Sequence, residues 1–452
     1  MTPSTRISLR TAVLRAVALV VVLGLFQGVV SCRQILGIQE RKLEVETPDA
    51  EKPATRATEC GGFEEPSSEC AKCLDEDCCD EAKGCAGDPA CKAAYRCVLG
   101  CKPGDADCAT WCLGSYSRPD SLAPLTACAT SRCASACAPH ACGALVNGSS
   151  TCDACVQANC CDENRACAGD EACVDIDFCS HRCLPTGSIR CSSDCAMTYM
   201  TGSDDSATRS ACISTKCGTE CSSDNAWTCL DKPQPSLKPP SLDPITFDMS
   251  VVEFLAETPY VGLTVKACSL SDLDCTSPLA TTTTDDNGHL ELTVPSGATG
   301  FNGFIDLSGS TLYPTLYYFL PPLIVGGDRG RLRLPSADTI KLLASSIKVD
   351  LDPTRGSLAL VPWDCTLSPA PGVSFVIDSA GPGSLTYYFE DNLPNHGATT
   401  TAADPAIGGA VNIVPGVTRV RATVASLSTT ISEFNFNIRA GTLTAGSIPP
   451  SP

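Results

Sequence analysis

Residues 70–101 read CAKCLDEDCCDEAKGCAGDPACKAAYRCVLGC, and residues 152–183 read CDACVQANCCDENRACAGDEACVDIDFCSHRC. Both stretches carry cysteine at the same eight positions, 82 residues apart, which marks an internal repeat. One copy extends over Cys60, Cys70, Cys73, Cys78, Cys79, Cys85, Cys91, Cys97, Cys101, Cys108, Cys112, Cys128, Cys133 and Cys137. The other extends over Cys142, Cys152, Cys155, Cys160, Cys161, Cys167, Cys173, Cys179, Cys183, Cys191, Cys195, Cys212, Cys217 and Cys221. Eleven of the thirteen gaps between neighbouring cysteines match, and the other two differ by one residue.

Fourteen cysteines per copy is an even number, as disulfide pairing requires, and the sequence leaves the connectivity open. Asp88-Pro89 reads as an N-cap followed by proline at the first helical position, opening a helix toward Cys101. Cys97 and Cys101, Cys108 and Cys112, and Cys133 and Cys137 are four apart, so each pair shares a helical face. Two helices facing each other through such pairs can be stapled twice, with the turn at Gly104. The copies therefore read as short helices held by bridges that restrict the unfolded chain, because few large apolar residues are available to form a core. Zinc and redox readings of Cys70-x-x-Cys73 and Cys152-x-x-Cys155 are weaker. No βαβ pattern surrounds them, and His140 and His181 do not occupy equivalent repeat positions. We expect no metal and no cofactor.

Of the 33 cysteines in 452 residues, 28 lie in the two copies, which points away from a reducing compartment. Basic residues number 32 against 51 acidic ones, so nucleic acid is excluded as a partner.

Upstream, Arg6, Arg10 and Arg15 precede an apolar run from Ala16 to Val30, short for a membrane span and suited to an export signal. It ends Val29-Val30-Ser31-Cys32, which resembles the lipobox of bacterial lipoproteins. The resemblance implies cleavage before Cys32, lipid attachment to that residue and, with Arg33 following it, an outer-membrane address. Contact with the membrane would then run through the N-terminal lipid. After cleavage, 29 basic and 51 acidic residues remain, a net charge of −22 that anionic head groups repel.

Downstream, Asp231 to Pro244 reads DKPQPSLKPPSLDP, a semi-rigid spacer. Beyond it cysteine nearly vanishes, and 16 of the 24 aromatic residues appear among alternating strand patterns. Two segments share a layout. Tyr260-Val-Gly-Leu-Thr-Val, Thr281 to Thr284 and Leu290 to Gly297 form one; Ala370-Pro-Gly-Val-Ser-Phe, Thr399 to Thr401 and Ala410 to Gly416 form the other. This layout resembles the carboxypeptidase-regulatory-like, or transthyretin-like, β-sandwich, which implies two such modules. Asp285-Asp286-Asn287-Gly288 reads as a hairpin turn rather than a calcium loop. Ser336 caps a helix with Ile340, Leu343, Ala344 and Ile347 on one face. The apolar run from Tyr313 to Val325 reads as buried strand.

The expected organisation is a signal peptide (1–31), a tether (32–59), cysteine-rich helical repeats at 60–137 and 138–229, and a proline-rich linker (230–243). Sandwich modules follow at 244–325 and 359–448, separated by a helical connector (326–358). Cys268 with Cys275, and Cys229 with Cys365, are the expected pairs outside the repeats, leaving Cys32 for lipid.

No G-x-S-x-G, H-E-x-x-H, phosphate-loop or dinucleotide motif occurs, and the histidines His140, His181, His289 and His396 are scattered. The chain as a whole resembles the cysteine-rich surface lipoproteins of large-genome Gram-negative bacteria. We expect a non-enzymatic surface scaffold with glycan or protein partners. The alternatives are a secreted hydrolase, or hydrolase subunit, with a carboxylate site in the β half, and metal handling by the repeats.

Overall fold

In a computed structural model of the chain, the described residues are 60 and 68–450, apart from 103–104, 138–141, 144, 146–148, 184–194, 223–226, 231, 233–236 and 404. The expected signal, Cys32 and the tether lie outside the described residues, as do His140, Cys191 and Gly104; the side chains of Cys137, His181 and Cys183 also lie outside. Among the described residues no helix is long and apolar enough to cross a membrane.

The first half is helical. The first copy holds α1 (Ser68–Asp77), α2 (Cys79–Gly87), α3 (Pro89–Leu99), α4 (Ala106–Ser115), α5 (Leu122–Arg132) and α6 (Ala134–Cys137). The second holds α7 (Ser150–Asn159), α8 (Cys161–Gly169), α9 (Glu171–Cys183) and α10 (Ser203–Lys216). Asp88 caps α3 by accepting from the Ala90 amide at 2.8 Å, with Pro89 at the first position. Asp105 caps α4 in the same manner, through the Cys108 amide.

The bridges repeat along with the sequence. Cys60–Cys79, Cys73–Cys133, Cys78–Cys128, Cys85–Cys91 and Cys97–Cys112 recur as Cys142–Cys161, Cys155–Cys217, Cys160–Cys212, Cys167–Cys173 and Cys179–Cys195. Cys101–Cys108 and Cys152–Cys221 complete the described pairs of the repeats. Cys70 is also disulfide-bonded. The copies are not separate beads. Leu113, Leu122 and Leu125 of the first share one core with Leu145, Val174 and Phe178 of the second, and α5 lies against α8 and α9. A copy with so few large apolar residues gains by pooling them.

The second half is all β, in two units that share the pairing of six strands. The first comprises β1 (Ile245–Glu253), β2 (Thr264–Ser269), β3 (Ala280–Thr283), β4 (His289–Val294), β5 (Gly303–Ser308), β6 (Thr315–Tyr318) and β7 (Gly327–Leu334). After α11 (Ala337–Ser346) the second comprises β8 (Gly356–Pro362), β9 (Val373–Ile377), β10 (Leu385–Glu390), β11 (Leu393–Asn395), β12 (Gly408–Ile413), β13 (Gly416–Val424), β14 (Thr429–Ile438) and β15 (Leu443–Ile448). In the first unit β1 pairs antiparallel with β4 and parallel with β7; in the second, β8 does the same with β12 and β15. The β2–β5–β6 ladder corresponds to β9–β13–β14. Strand β7 thus closes the first unit from within the segment read as a helical connector. The units differ in the rest, β3 lying on β2 in the first and β10 with β11 on β12 in the second.

The second threonine segment, Thr399 to Thr401, is not a strand. Thr401 instead makes the contacts that Thr284 makes in the first unit. The Thr284 hydroxyl donates to the Tyr260 carbonyl at 2.6 Å and accepts from the Leu263 amide at 2.9 Å. The Thr401 hydroxyl donates to the Ala370 carbonyl at 2.7 Å and accepts from the Val373 amide at 3.0 Å. The backbone amides of Gly262 and Gly372 donate to the carbonyls of Thr284 and Thr401, with φ of 70° and 76° that favour glycine. What the two segments share is a buried threonine clasp, which needs no strand around it.

The two units are fused edge to edge. Strand β15 pairs in parallel with β8 on one side and with β6 of the first unit on the other, giving one nine-stranded sheet in the order β11-β10-β12-β8-β15-β6-β5-β2-β3. Every residue of β15 is buried. Phe304, Leu316 and Tyr318 of the first unit pack in one core with Leu358, Phe375 and Phe436 of the second. Its sequence, Leu-Thr-Ala-Gly-Ser-Ile, holds only small or apolar side chains, which suits a strand covered on both faces.

Candidate functional site

Buried polar side chains with several partners lie on the seams between the helical repeats, the linker and the β half. The first seam joins the copies. Ser117 and Arg118 turn through positive φ after α4, carrying the Arg118 guanidinium to Asp177 on α9, Nη1 to Oδ2 3.4 Å. Arg209 of α10 approaches the other carboxylate oxygen at 3.7 Å, and its Nε donates to Asn164 Oδ1 at 2.8 Å. Asn164 Nδ2 donates back to the carbonyls of Cys142 and Leu145. All four side chains are buried, and Arg118 also lies over the Phe178 ring. Burial pushes the Asp177 carboxyl up to about 7 against the pull of Arg209 and Arg118.

The second seam binds the linker. Asp107, 1% exposed on α4, accepts from Ser150 Oγ at 3.1 Å, from Thr228 Oγ1 at 2.8 Å and from Lys232 Nζ. Burial opposes the Lys232 charge, but the hydrogen bond and charge of Asp107, helped by Asp105, outweigh it and raise the ammonium pKa. The Tyr116 hydroxyl donates to the Lys238 carbonyl at 3.0 Å. Leu237 packs with Ala90, Ala93, Tyr116, Ile324 and Val325. The described part of the proline-rich segment is therefore laid down on protein, and does not hold the halves apart. The end of the run Tyr313 to Val325 is buried here, beneath the helical repeat.

The third seam reaches the β half directly. Cys229 is bridged to Cys365, with Trp227 and Leu230 against the fused β core. Arg329 of β7 donates to Ser117 Oγ and to the carbonyl of Val325. The second bridge of the β half, Cys268–Cys275, closes a seven-residue span after β2.

None of these charged seam residues stands out in the sequence. Partners 32 to 212 positions apart, such as Arg209 with Asp177 and Arg329 with Ser117, leave no local period. The only available signal for Lys232 is that it is one of two lysines among prolines. The Asp285–Gly288 segment is a tight turn in which Asp285 Oδ1 accepts from the Asn287 and His289 amides, both at 2.8 Å. His289 lies 3.4 Å from Asp248 on an outward sheet face, far in the chain from exposed His396. Among the described residues, two groups of three ligand-type atoms lie within 4.8 Å of one another: Cys101, Cys108 and Cys112, and Cys73, Asp77 and Cys133. Every cysteine in them is disulfide-bonded.

The fold defines a disulfide-stapled helical repeat protein joined to a pair of fused β-sandwiches. No protein-family model matches the sequence, and no curated protein matches it. Solved structures with partial likeness include the Bacillus anthracis TIE protein, at 11% identity and TM-score 0.17, covering 46% of this chain and 35% of that one. The shaft pilin SpaA from Lactobacillus rhamnosus GG is 12% identical with TM-score 0.17 over 46% and 98% of the two chains. A streptococcal ancillary pilin is 11% identical with TM-score 0.15 over 46% and 69%. The chain thus spans about a third of the length of the first of these. At such TM-scores the likeness carries no functional argument.

Proposed function

We propose that this chain is a cell-envelope lipoprotein, anchored through Cys32, that serves as a non-enzymatic surface scaffold. The observation that carries the reading is the continuity of the described body. The repeats share a core, the linker is bound by Asp107 and Tyr116, Cys229–Cys365 ties repeat to sheet, and β15 merges one sheet from each β unit. The disulfides described within both helical copies suit an oxidising exterior, where such bonds persist. A stiff body holds its surface at a fixed attitude to its point of attachment, which suits presentation to a glycan or protein partner. Acidic residues outnumber basic ones, so a lipid on Cys32 rather than basic side chains would hold it at an anionic membrane.

The test is metabolic labelling with a fatty acid in a Gram-negative host, comparing the wild type with Cys32→Ala, followed by membrane fractionation and pull-down from envelope extract. The proposal expects label and an outer-membrane location in the wild type and neither in the variant. A variant that keeps both would overturn the anchor.

A further inference from the structure

The hairpin of α3 and α4 carries four sulfurs, three of them mutually close and the fourth, of Cys97, bonded to Cys112 outside that group. Cys97 lies in the last turn of α3 and Cys101 two residues past its end, and Cys108 and Cys112 are four apart within α4. The Cα atoms are 5.6 Å apart for Cys97 and Cys112, and 5.7 Å apart for Cys101 and Cys108. Between the two bridges, Cys101 Sγ lies 3.8 Å from Cys112 Sγ. The sulfurs of Cys101, Cys108 and Cys112 all lie within 4.8 Å of one another.

A zinc–thiolate bond of about 2.3 Å in a tetrahedron sets a sulfur–sulfur edge of about 3.8 Å. One non-bonded edge of that figure therefore already exists between the bridges. Opening the two disulfides allows each bonded pair to spread to the same length by side-chain rotation, with the Cα atoms in place. The quartet is also local. Its longest sequence separation is 15 residues, so it can assemble without the rest of the fold and at small loop-closure cost. The cluster of Cys73, Asp77 and Cys133 spans 60 residues and lacks that advantage.

We propose that in the reduced chain Cys97, Cys101, Cys108 and Cys112 form a tetrathiolate site for one divalent ion of the zinc class. Each bridge takes two electrons and two protons from a dithiol, which leaves as its own disulfide, giving four thiols. The divalent ion then displaces four protons and binds four thiolates. Bridge formation and metal binding are alternatives for the same sulfurs, the first suited to an oxidising compartment and the second to a reducing one. In the reduced state the ion would hold the hairpin in place of the bridges, because binding energy at such a site is folding energy. The site is independent of the lipid anchor.

The test uses the full chain, reduced with a phosphine under argon, with or without one to four equivalents of Zn²⁺. It is then pulsed with iodoacetamide and read by peptide mass spectrometry. The proposal expects Zn²⁺ to slow alkylation of the four quartet cysteines at least tenfold and to leave Cys85 and Cys91 at their metal-free rate. In Cys101→Ser, the protection of Cys97, Cys108 and Cys112 should fall severalfold. Equal rates with and without Zn²⁺, equal slowing of Cys85 and Cys91, or full protection in Cys101→Ser would each overturn it.

Discussion

Removing the bridge between repeat and sheet, as Cys229→Ala with Cys365→Ala, has a magnitude that follows from its span. The two cysteines are 136 residues apart, and the loop-entropy relation assigns about 5 kcal/mol to closing a loop of that size. The Cys268–Cys275 bridge spans seven residues, for which the same relation gives about 2.4 kcal/mol. Guanidinium unfolding without reductant leaves the other bridges intact and is followed by tryptophan fluorescence, to which Trp227 at the seam and Trp363 in the β half contribute. With a slope of about 5 kcal/mol/M, the long-bridge variant should lose about 1 M in midpoint and the Cys268→Ala/Cys275→Ala variant about half that. Packing of Trp227 and Leu230 persists in both, so the difference isolates the covalent link. Equal shifts in the two variants, or a shift under about 0.2 M for the long bridge, would refute the claim that Cys229–Cys365 closes the protein into one body.

Three further outcomes are expected. Thr284→Val and Thr401→Val each leave a buried amide and a buried carbonyl without their hydroxyl partner, and each should cost about 1–3 kcal/mol, adding in the double variant; chemical denaturation checks this. Asp177→Ala leaves Arg118 and Arg209 buried without their shared carboxylate and should destabilise the helical half by about 3–5 kcal/mol, read as loss of helical circular dichroism on heating. Glu253 is buried, which works to raise its pKa. Hydrogen bonds from Thr339 and the amides of Ala256, Leu255 and Ser336 outweigh that and hold it below the usual range. A depressed folded pKa supplies stability above the unfolded value near 4.3 that is lost as pH falls through the folded one. Stability measured from pH 6 to pH 2 should therefore fall less steeply in Glu253→Gln than in the wild type.

The helical half was legible because cysteine spacing is local information. Pairs four apart on two short helices leave Cys97 and Cys101 facing Cys108 and Cys112, and Asp88-Pro89 announces its helix by residue chemistry alone. The change to a β half at Pro244 showed in aromatic content and alternation. What could not be read was how units meet. Strand β15 is a short run of small and apolar residues, Leu-Thr-Ala-Gly-Ser-Ile, whose two partners, β6 and β8, lie about 130 and 85 residues upstream, and nothing in its period names them. Strand β7, Gly-Asp-Arg-Gly-Arg-Leu-Arg-Leu, alternates arginine with leucine only over its last four residues, too short a run to separate it from a connector. Thr401 was read as strand because threonine favours strands; its buried hydroxyl is held by a loop. The linker's composition predicts a spacer, and Lys232, Leu237 and Lys238 override it through single contacts with the helical half.

The central claim is that the two units of the described β half are joined into one body by the last strand, which merges one sheet of each, and are tied to the repeats. Native-state amide hydrogen exchange of β15 tests it most directly, because those amides are covered on both edges only if β6 and β8 flank them in one fold. The account predicts that the amides of residues 443–448 exchange as slowly as those of β5 and β8, and only through global opening of the β half. Rapid exchange of β15, or separate opening free energies for the β1–β7 and β8–β15 units, would contradict it.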